Sequence, residues 1–289
     1  SDGFDPLAYA VEAAHREGLA LHAWLNPLRI MHPNGQYPPA LSGDNPYTVW
    51  RGDGNPDNDN WVIDHGKGKY YNPAVPEVRE LIINGTREIV ERYNVDGVHW
   101  DDYFYPAEDG SFDDSASYEA YREQGGALSL IEWRTDNINR LVRGVYNAVK
   151  SARSDCVFGI SPAGNIENCL SVGADVEKWG SEPGFVDYLL PQIYWTSDNA
   201  ICAFEPTCRR WDALVTNPDV KLYIGLALYK AGTDSDKGKW KKSDDMIMKQ
   251  VLYTRSGDTK AEGFSLYSYA YFDAEQTAEE MKHLRSVLT

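Results

Sequence analysis

The chain has 289 residues, 42% of them hydrophobic, enough to bury a large core in one α/β domain. Its formal charge is −16, from 44 acidic against 28 basic residues. That field repels phosphate backbones and anionic lipid, which argues against nucleic acid and membrane surfaces as partners, and no apolar run reaches the ~18 residues of a membrane span.

In chain order, a helix opens the sequence: Asp5 fits the N-cap, Pro6 the first helical position and Gly18 the stop, with Leu7, Val11, Ala14 and His15 at helical spacing. The strand LALHAWLN follows, placing Leu21, Ala23 and Leu25 on one face and His22, Trp24 and Asn26 on the other. Residues 27–76 read as a long loop rich in aromatics (Trp50, Trp61, Tyr70, Tyr71), expected to pack as a lid or cleft wall. A helix over 76–93 feeds the stretch VDGVHWDDYFYP at 95–106. After an acidic loop at 109–126, a helix over 129–153 precedes the strand CVFGISP. The strand VDYLLPQIYW, a helix over 205–215, the strand VKLYIGLALY, a helix over 244–253, the strand GFSLYSY and a helix over 274–287 complete the chain. This alternation predicts a parallel sheet covered by helices. Six strands are visible where a closed (β/α)8 barrel has eight, and the chain opens on a helix, so the expected fold is a single TIM (β/α) barrel domain, residues 1–289, without its first two strands.

The stretch 95–106 carries the strongest chemical signal. Alternation puts His99 and Asp101 on one face and Val98 and Trp100 on the other. Asp101 then stands at the C-terminal end of a parallel strand, where such barrels keep their chemistry. A regular strand turns Asp102 away from Asp101; only a bend at the strand end brings it into the site. Tyr103, Phe104 and Tyr105 offer flat faces on which sugar rings stack. Along the other strands, His22, Trp24 and Asn26 line the inner face with Arg29 at its mouth, Tyr71 lies in the long loop, and Gln192 and Tyr194 share a face with Trp195 at the rim. A second carboxyl group is less defined: Glu167 in SPAGNIEN, with Asp198 and Asp273 as alternatives after later strands. Each has a plain structural reading too, Asp101 as a helix cap or Arg partner and His22 as a hydrogen-bonded core layer. Asp53, Asn55, Asp57 and Asp59 alternate like calcium-loop ligands, but the EF-hand glycine and closing glutamate are missing, so a solvated turn is the reading. No histidine or cysteine group has zinc-site spacing, which disfavours a metal-dependent deacetylase. Cys202 and Cys208 could close a small loop in an exported protein, or stay free.

The segments DPLAYAVEAAHREGLALHAWLNPLRI, YYNPAVPEVRELI and VDGVHWDDYFYP resemble the glycosyl hydrolase-like 10 family, bacterial and mostly exported glycosidases. The resemblance implies a TIM barrel, no organic cofactor, an extracellular or cell-envelope location and a cell-wall or related polysaccharide substrate, peptidoglycan glycan strands above others. The family pattern also carries a Gln-Val-Arg and a Gly-Asp-Ala motif ahead of the position of Asp5, and neither occurs in this sequence. The run Asp96 to Asp101 resembles the fourth strand of the α-amylase clan, where the last Asp is the nucleophile. The expected function is therefore a two-carboxylate glycoside hydrolase centred on Asp101, with Asp102 or Glu167 as its partner. The rival is a carbohydrate-binding barrel without catalysis. Open barrel edges would also invite self-association.

Overall fold

The computed structural model describes residues 3–32, 40–102, 104–106 and 111–288. They form two compact units, one of residues 1–158 with 170–175 and one of residues 159–169 with 176–289. Six parallel strands alternate with helices along the chain, so the class is α/β with the strand count expected from the sequence.

The first unit begins with α1 (Pro6–Arg16), whose N-cap Asp5 accepts the Leu7 and Ala8 N–H groups at 3.0 Å and the Tyr93 hydroxyl at 2.8 Å. Strand β1 (His22–Leu25) pairs in parallel with β5 (Gly97–Trp100), aligning His22 with Gly97 and Trp24 with His99. Asp96 fixes that register. Its carboxylate accepts the Leu21 N–H at 2.6 Å and contacts His15 Nε2 at 2.9 Å, tying the end of α1 to the start of both strands. The alternation read from the sequence holds: Ala23, Val98 and Trp100 are buried, and Trp100 meets Phe158 edge to face at 5.2 Å. Their opposite face carries His22, Trp24 and His99.

Between β1 and β5 the expected long loop is a small structured layer. It holds β2 (Arg29–Met31), α2 (Pro46–Gly52), a 3-10 turn (Pro56–Trp61), β3 (Val62–His65) and β4 (Gly68–Tyr71), the strands forming an antiparallel sheet in the order β2-β4-β3. The signal for it was the two-residue turn Gly66-Lys67 joining β3 to β4, with Gly66 at φ +59°. These strands are three or four residues long, too short for periodicity to reveal them. The Asp53 carboxylate accepts the Asn55 N–H and Asn58 Nδ2 at 2.8 Å, as a solvated turn does.

Helix α3 (Pro76–Arg92) leads into β5. The acidic stretch after β5 contains α4 (Ser115–Glu123), and α5 (Leu130–Ala152) starts with a capping box between Ser129 and Glu132. Strand β6 (Val157–Ile160) continues the parallel run, its Val157 N–H donating to Asp96 O at 3.1 Å.

In the second unit the end of β6 pairs with β7, β7 with β8 and β8 with β9, all in parallel. Its elements are α6 (Ile166–Ser171), which begins here, α7 (Val176–Ser181), β7 (Tyr188–Leu189), α8 (Phe204–Leu214), β8 (Lys221–Leu226), α9 (Ser235–Lys242), α10 (Met246–Thr254), β9 (Gly263–Leu266) and α11 (Ala278–Leu288). The long strand expected at 186–195 shrinks to two residues because Pro191 has no N–H to continue the ladder. Beyond it, Gln192 makes isolated bridges to Ala163 and Gly225. Cys202 and Cys208 are separate buried thiols. Among the described residues no helix is long and apolar enough to cross a membrane.

Candidate active site

At the C-terminal end of β5 the chain bends at Asp102 instead of continuing as strand. That bend reverses the expectation of a regular strand, which would have turned Asp102 away. The Asp102 N–H donates to Asp101 Oδ1 at 2.8 Å, and the two carboxyl groups share a hydrogen bond. Burial, then the Asp101 charge and that hydrogen bond, push the Asp102 carboxyl up to about 7, against a smaller opposite pull from the Arg29 guanidinium. A carboxyl raised toward neutrality in this way can keep a proton to give.

Around the pair, the neighbouring elements supply polar groups of distinct kinds. His99 stands two residues before Asp101 on the same face; burial lowers its pKa to about 4, so the imidazole is neutral at pH 7. Trp24, beside His99 in the register, is 54% exposed and offers a flat indole face. His22 is exposed, its ring lying over Gly97, where a Cβ would fall 2.9 Å from the ring carbons. Glycine at 97 thus makes room for Val157 Cγ2, 2.7 Å from such a Cβ, and for the histidine ring. Asn26, just beyond β1, keeps its Oδ1 buried with no hydrogen-bond donor among the described residues, an open acceptor at the strand end. The small sheet brings Arg29 into the field of Asp102 through the Arg29 to Tyr70 pairing, while the Tyr71 N–H donates to Leu28 O at 2.8 Å. Tyr71 is half-buried, edge-on to Trp50 at 6.1 Å.

Two expected aromatic ligands stand differently. Tyr103 lies outside the described residues. Tyr105 is 3% exposed, its ring packed edge-on to Phe112 at 5.5 Å with the Arg134 guanidinium 5.0 Å above it, so it fills the core rather than presenting a face. Arg134 is itself buried, donating to both Asp114 oxygens at 2.6 and 2.9 Å and to Phe112 O at 2.8 Å. It pins the segment that leaves the Asp101–Asp102 bend.

In the second unit, the carboxyl groups weighed as partners are exposed and paired with cations. Glu167 is exposed on the first turn of α6 and paired with Arg210, whose hydrogen bond holds the carboxyl below its ordinary range. Asp198 is exposed and bonded to Lys239 at 2.8 Å, and Asp273 is exposed and paired with Arg285 at 3.4 Å. For Glu167 and Asp198 the hydrogen bond to that cation favours the charged form. Gln192 is held by its Nε2 donating to Ser161 O at 3.1 Å, and Trp195 packs its ring against Gly164. Tyr194 lies 5.9 Å from Tyr229, and Tyr229 lies 5.9 Å from Tyr267, the last 46% exposed. Tyr229, Lys230 and Tyr267 escaped the sequence reading, although GLALYK and SLYSY each carry aromatics just past a strand. Among the described residues no group of three or more His, Cys, Asp or Glu could hold a metal ion.

Comparison with known proteins bears on the same strands. Residues 1–242 match the model of the family described as glycosyl hydrolase-like 10. The chain is 35% identical to glycosyl hydrolase YngK of Bacillus subtilis over 86% of its length and 50% of that protein's. It is 31% identical to glycosyl hydrolase DigH of Escherichia coli, over 98% of this chain and 68% of DigH. The chain thus spans about half of the first relative and about two thirds of the second. Among solved structures, an α-L-fucosidase from Paenibacillus thiaminolyticus superposes with a TM-score of 0.57 at 13% identity, over 99% of this chain and 39% of that one. The PgaB (BpsB) glycoside hydrolase domain from Bordetella bronchiseptica gives 0.56 at 12% identity, over 98% of this chain and 80% of that one. The structural neighbours are TIM-barrel glycoside hydrolases, so the fold is of that kind.

Proposed function

The chain belongs to the glycosyl hydrolase-like 10 family, a glycosidase class, and on that premise we propose that it cleaves a bacterial cell-wall polysaccharide, peptidoglycan glycan strands before others, at the Asp101–Asp102 pair. The observation that carries this reading is the paired carboxyls at the end of β5, one retaining its proton toward neutral pH beside the other's charge.

In the reaction Asp102 gives its proton to the leaving glycosidic oxygen as the bond to the anomeric carbon breaks. The Asp101 carboxylate faces the positive charge that develops on the sugar ring. Water then adds to the anomeric carbon and returns a proton to Asp102, closing the cycle with no organic cofactor. Asn26 and Trp24 bind sugar, with His22, Arg29 and Tyr71 at the edges, and neutral His99 orients Asp101. Within the second unit, Gln192, Tyr194 and Trp195 offer an amide, a phenol and an indole to a sugar of their own. A cell-wall substrate places the protein outside the cytoplasm.

The adjacency of the two carboxyls has a chemical consequence. Retaining and inverting pairs stand ~5 Å or ~6.5–9.5 Å apart on either side of the bond. Hydrogen-bonded neighbours act from one side, so the attacking group at the anomeric carbon is water or a group of the sugar rather than Asp101.

The test is reducing-end release from purified glycan strands stripped of peptides. The expected result is release by the native chain and none by Asp101→Asn at unchanged melting temperature. Full activity in that variant would sink the assignment. Binding without release would favour the non-catalytic reading.

A further inference from the structure

Resting on the glycosidase reading above, we propose that Lys230, with Tyr194, Tyr229 and Tyr267, forms a subsite for a sugar that carries a carboxylate.

Three successive parallel strands deliver these residues just past their C-terminal ends: Tyr194 after β7, Tyr229 and Lys230 on the 3-10 turn after β8, and Tyr267 directly after β9. The rings make a corner. Tyr229 stands edge-on to Tyr194 at 78° and to Tyr267 at 88°, while Tyr194 and Tyr267 lie within 21° of parallel at 6.4 Å. Such faces take the apolar side of a sugar ring.

Lys230 sits inside this aromatic setting. Its Nζ donates to Tyr194 O at 2.7 Å and lies 5.9 Å from the Tyr229 ring centre. An ammonium has three N–H donors, so two remain for a ligand. Several other lysines of the unit hold carboxylates, among them Lys221 with Glu262, Lys239 with Asp198, Lys241 with Asp234 and Lys249 with Asp245, whereas Lys260, like Lys230, donates to a backbone carbonyl, that of Val215. Lys230 is half-buried and forms no ion pair with any described residue. Asp236 acts on it only through space, its oxygens turned to Asn199 Nδ2 and Trp240 Nε1. In a chain with 44 acidic residues against 28 basic ones, a half-buried cation without a carboxylate is a placed charge. Burial lowers its pKa, as expected when a charge lacks compensation. A sugar hydroxyl would satisfy its N–H groups but not its charge; a carboxylate satisfies both. That charge also gives an acidic polymer a local anchor against the repulsive field of the whole chain.

The probe is the disaccharide of N-acetylglucosamine and N-acetylmuramic acid, as free acid and as methyl ester, titrated into the Asp101→Asn protein so that nothing is cleaved. The acid should bind about tenfold more tightly than the ester, the scale of a charge-assisted hydrogen bond. Lys230→Met should abolish that preference, acid and ester then binding alike, while Lys230→Arg keeps it. Equal binding of acid and ester by the Lys230 protein, a comparison that needs no variant at 230, overturns the proposal. So does binding of neither, or a preference that survives Lys230→Met. A chain that releases reducing ends without the preference overturns this subsite alone. The preference without release overturns only the cleavage reading.

Discussion

Asp102 is hydrogen-bonded to Asp101, and its carboxyl is raised first by burial and then by the Asp101 charge and that hydrogen bond. The Asp102 proton is lost in a step at about 7. We therefore expect kcat/KM to fall as pH rises through that step, when the donor proton is lost. Asp102→Asn should cost ~10²–10⁴-fold in rate and remove this alkaline limb. An unchanged limb in the variant would assign the donor elsewhere.

His99 gives the same strand the opposite pH dependence. Its pKa is depressed to about 4, so its stabilising contribution is full above the unfolded value of ~6.5 and is lost as pH falls through 4. Asp102, whose value is raised, contributes fully below ~3.9 and loses its contribution as pH rises through about 7. The two oppose each other in between. Urea unfolding from pH 4 to 8 should show wild type losing its advantage over His99→Gln on the acid side and over Asp102→Asn on the alkaline side. Parallel curves for all three proteins would refute the burial of both groups.

Gly97 is the position where a single methyl group tests the register. A Cβ there would lie 2.7 Å from Val157 Cγ2 and 2.9 Å from the His22 ring. Gly97→Ala should destabilise by ~1–3 kcal/mol in denaturant titration. His22→Ala in the same chain should recover part of that loss, because only the Val157 contact then remains. Additive losses would show that the ring does not occupy the space above Gly97.

Arg134 holds Asp114 and the Phe112 carbonyl in the core, with the Tyr105 ring beneath it. Removing it in Arg134→Met leaves Asp114 buried without its partner, a loss of ~3–5 kcal/mol. Asp114→Asn combined with it should restore part of the stability, read from melting curves. A small loss in the single variant would show that Asp114 reaches solvent.

Glu167 provides the negative control for the chemistry. An exposed carboxylate bound to Arg210 has little to lose, so Glu167→Gln should leave reducing-end release intact and stability within ~0.5 kcal/mol. A large drop in activity would return Glu167 to the catalytic pair.

Much of this was legible in one dimension because it depends on local physics. Asp5, Pro6 and Gly18 mark α1 through capping and backbone geometry, and the helical and two-residue periods gave α3, α5 and the inward face of β5. Asp101 stood out for the same reason, as an acid ending an apolar strand. The layer of β2, β3 and β4 stayed hidden because its strands are three or four residues long, and Pro191 shortened β7 in a way that composition alone did not weigh.

By itself, then, the sequence determined the fold class, the six strands and which face of β5 is buried, since period and capping are properties of neighbouring residues. Only the tertiary structure decided the protonation of Asp102, the burial of Tyr105, the exposure of Glu167 and the meeting of Lys230 with its tyrosines. Each depends on desolvation and on charges brought close by segments far apart in the chain, and neither is encoded in the spacing of residues along it.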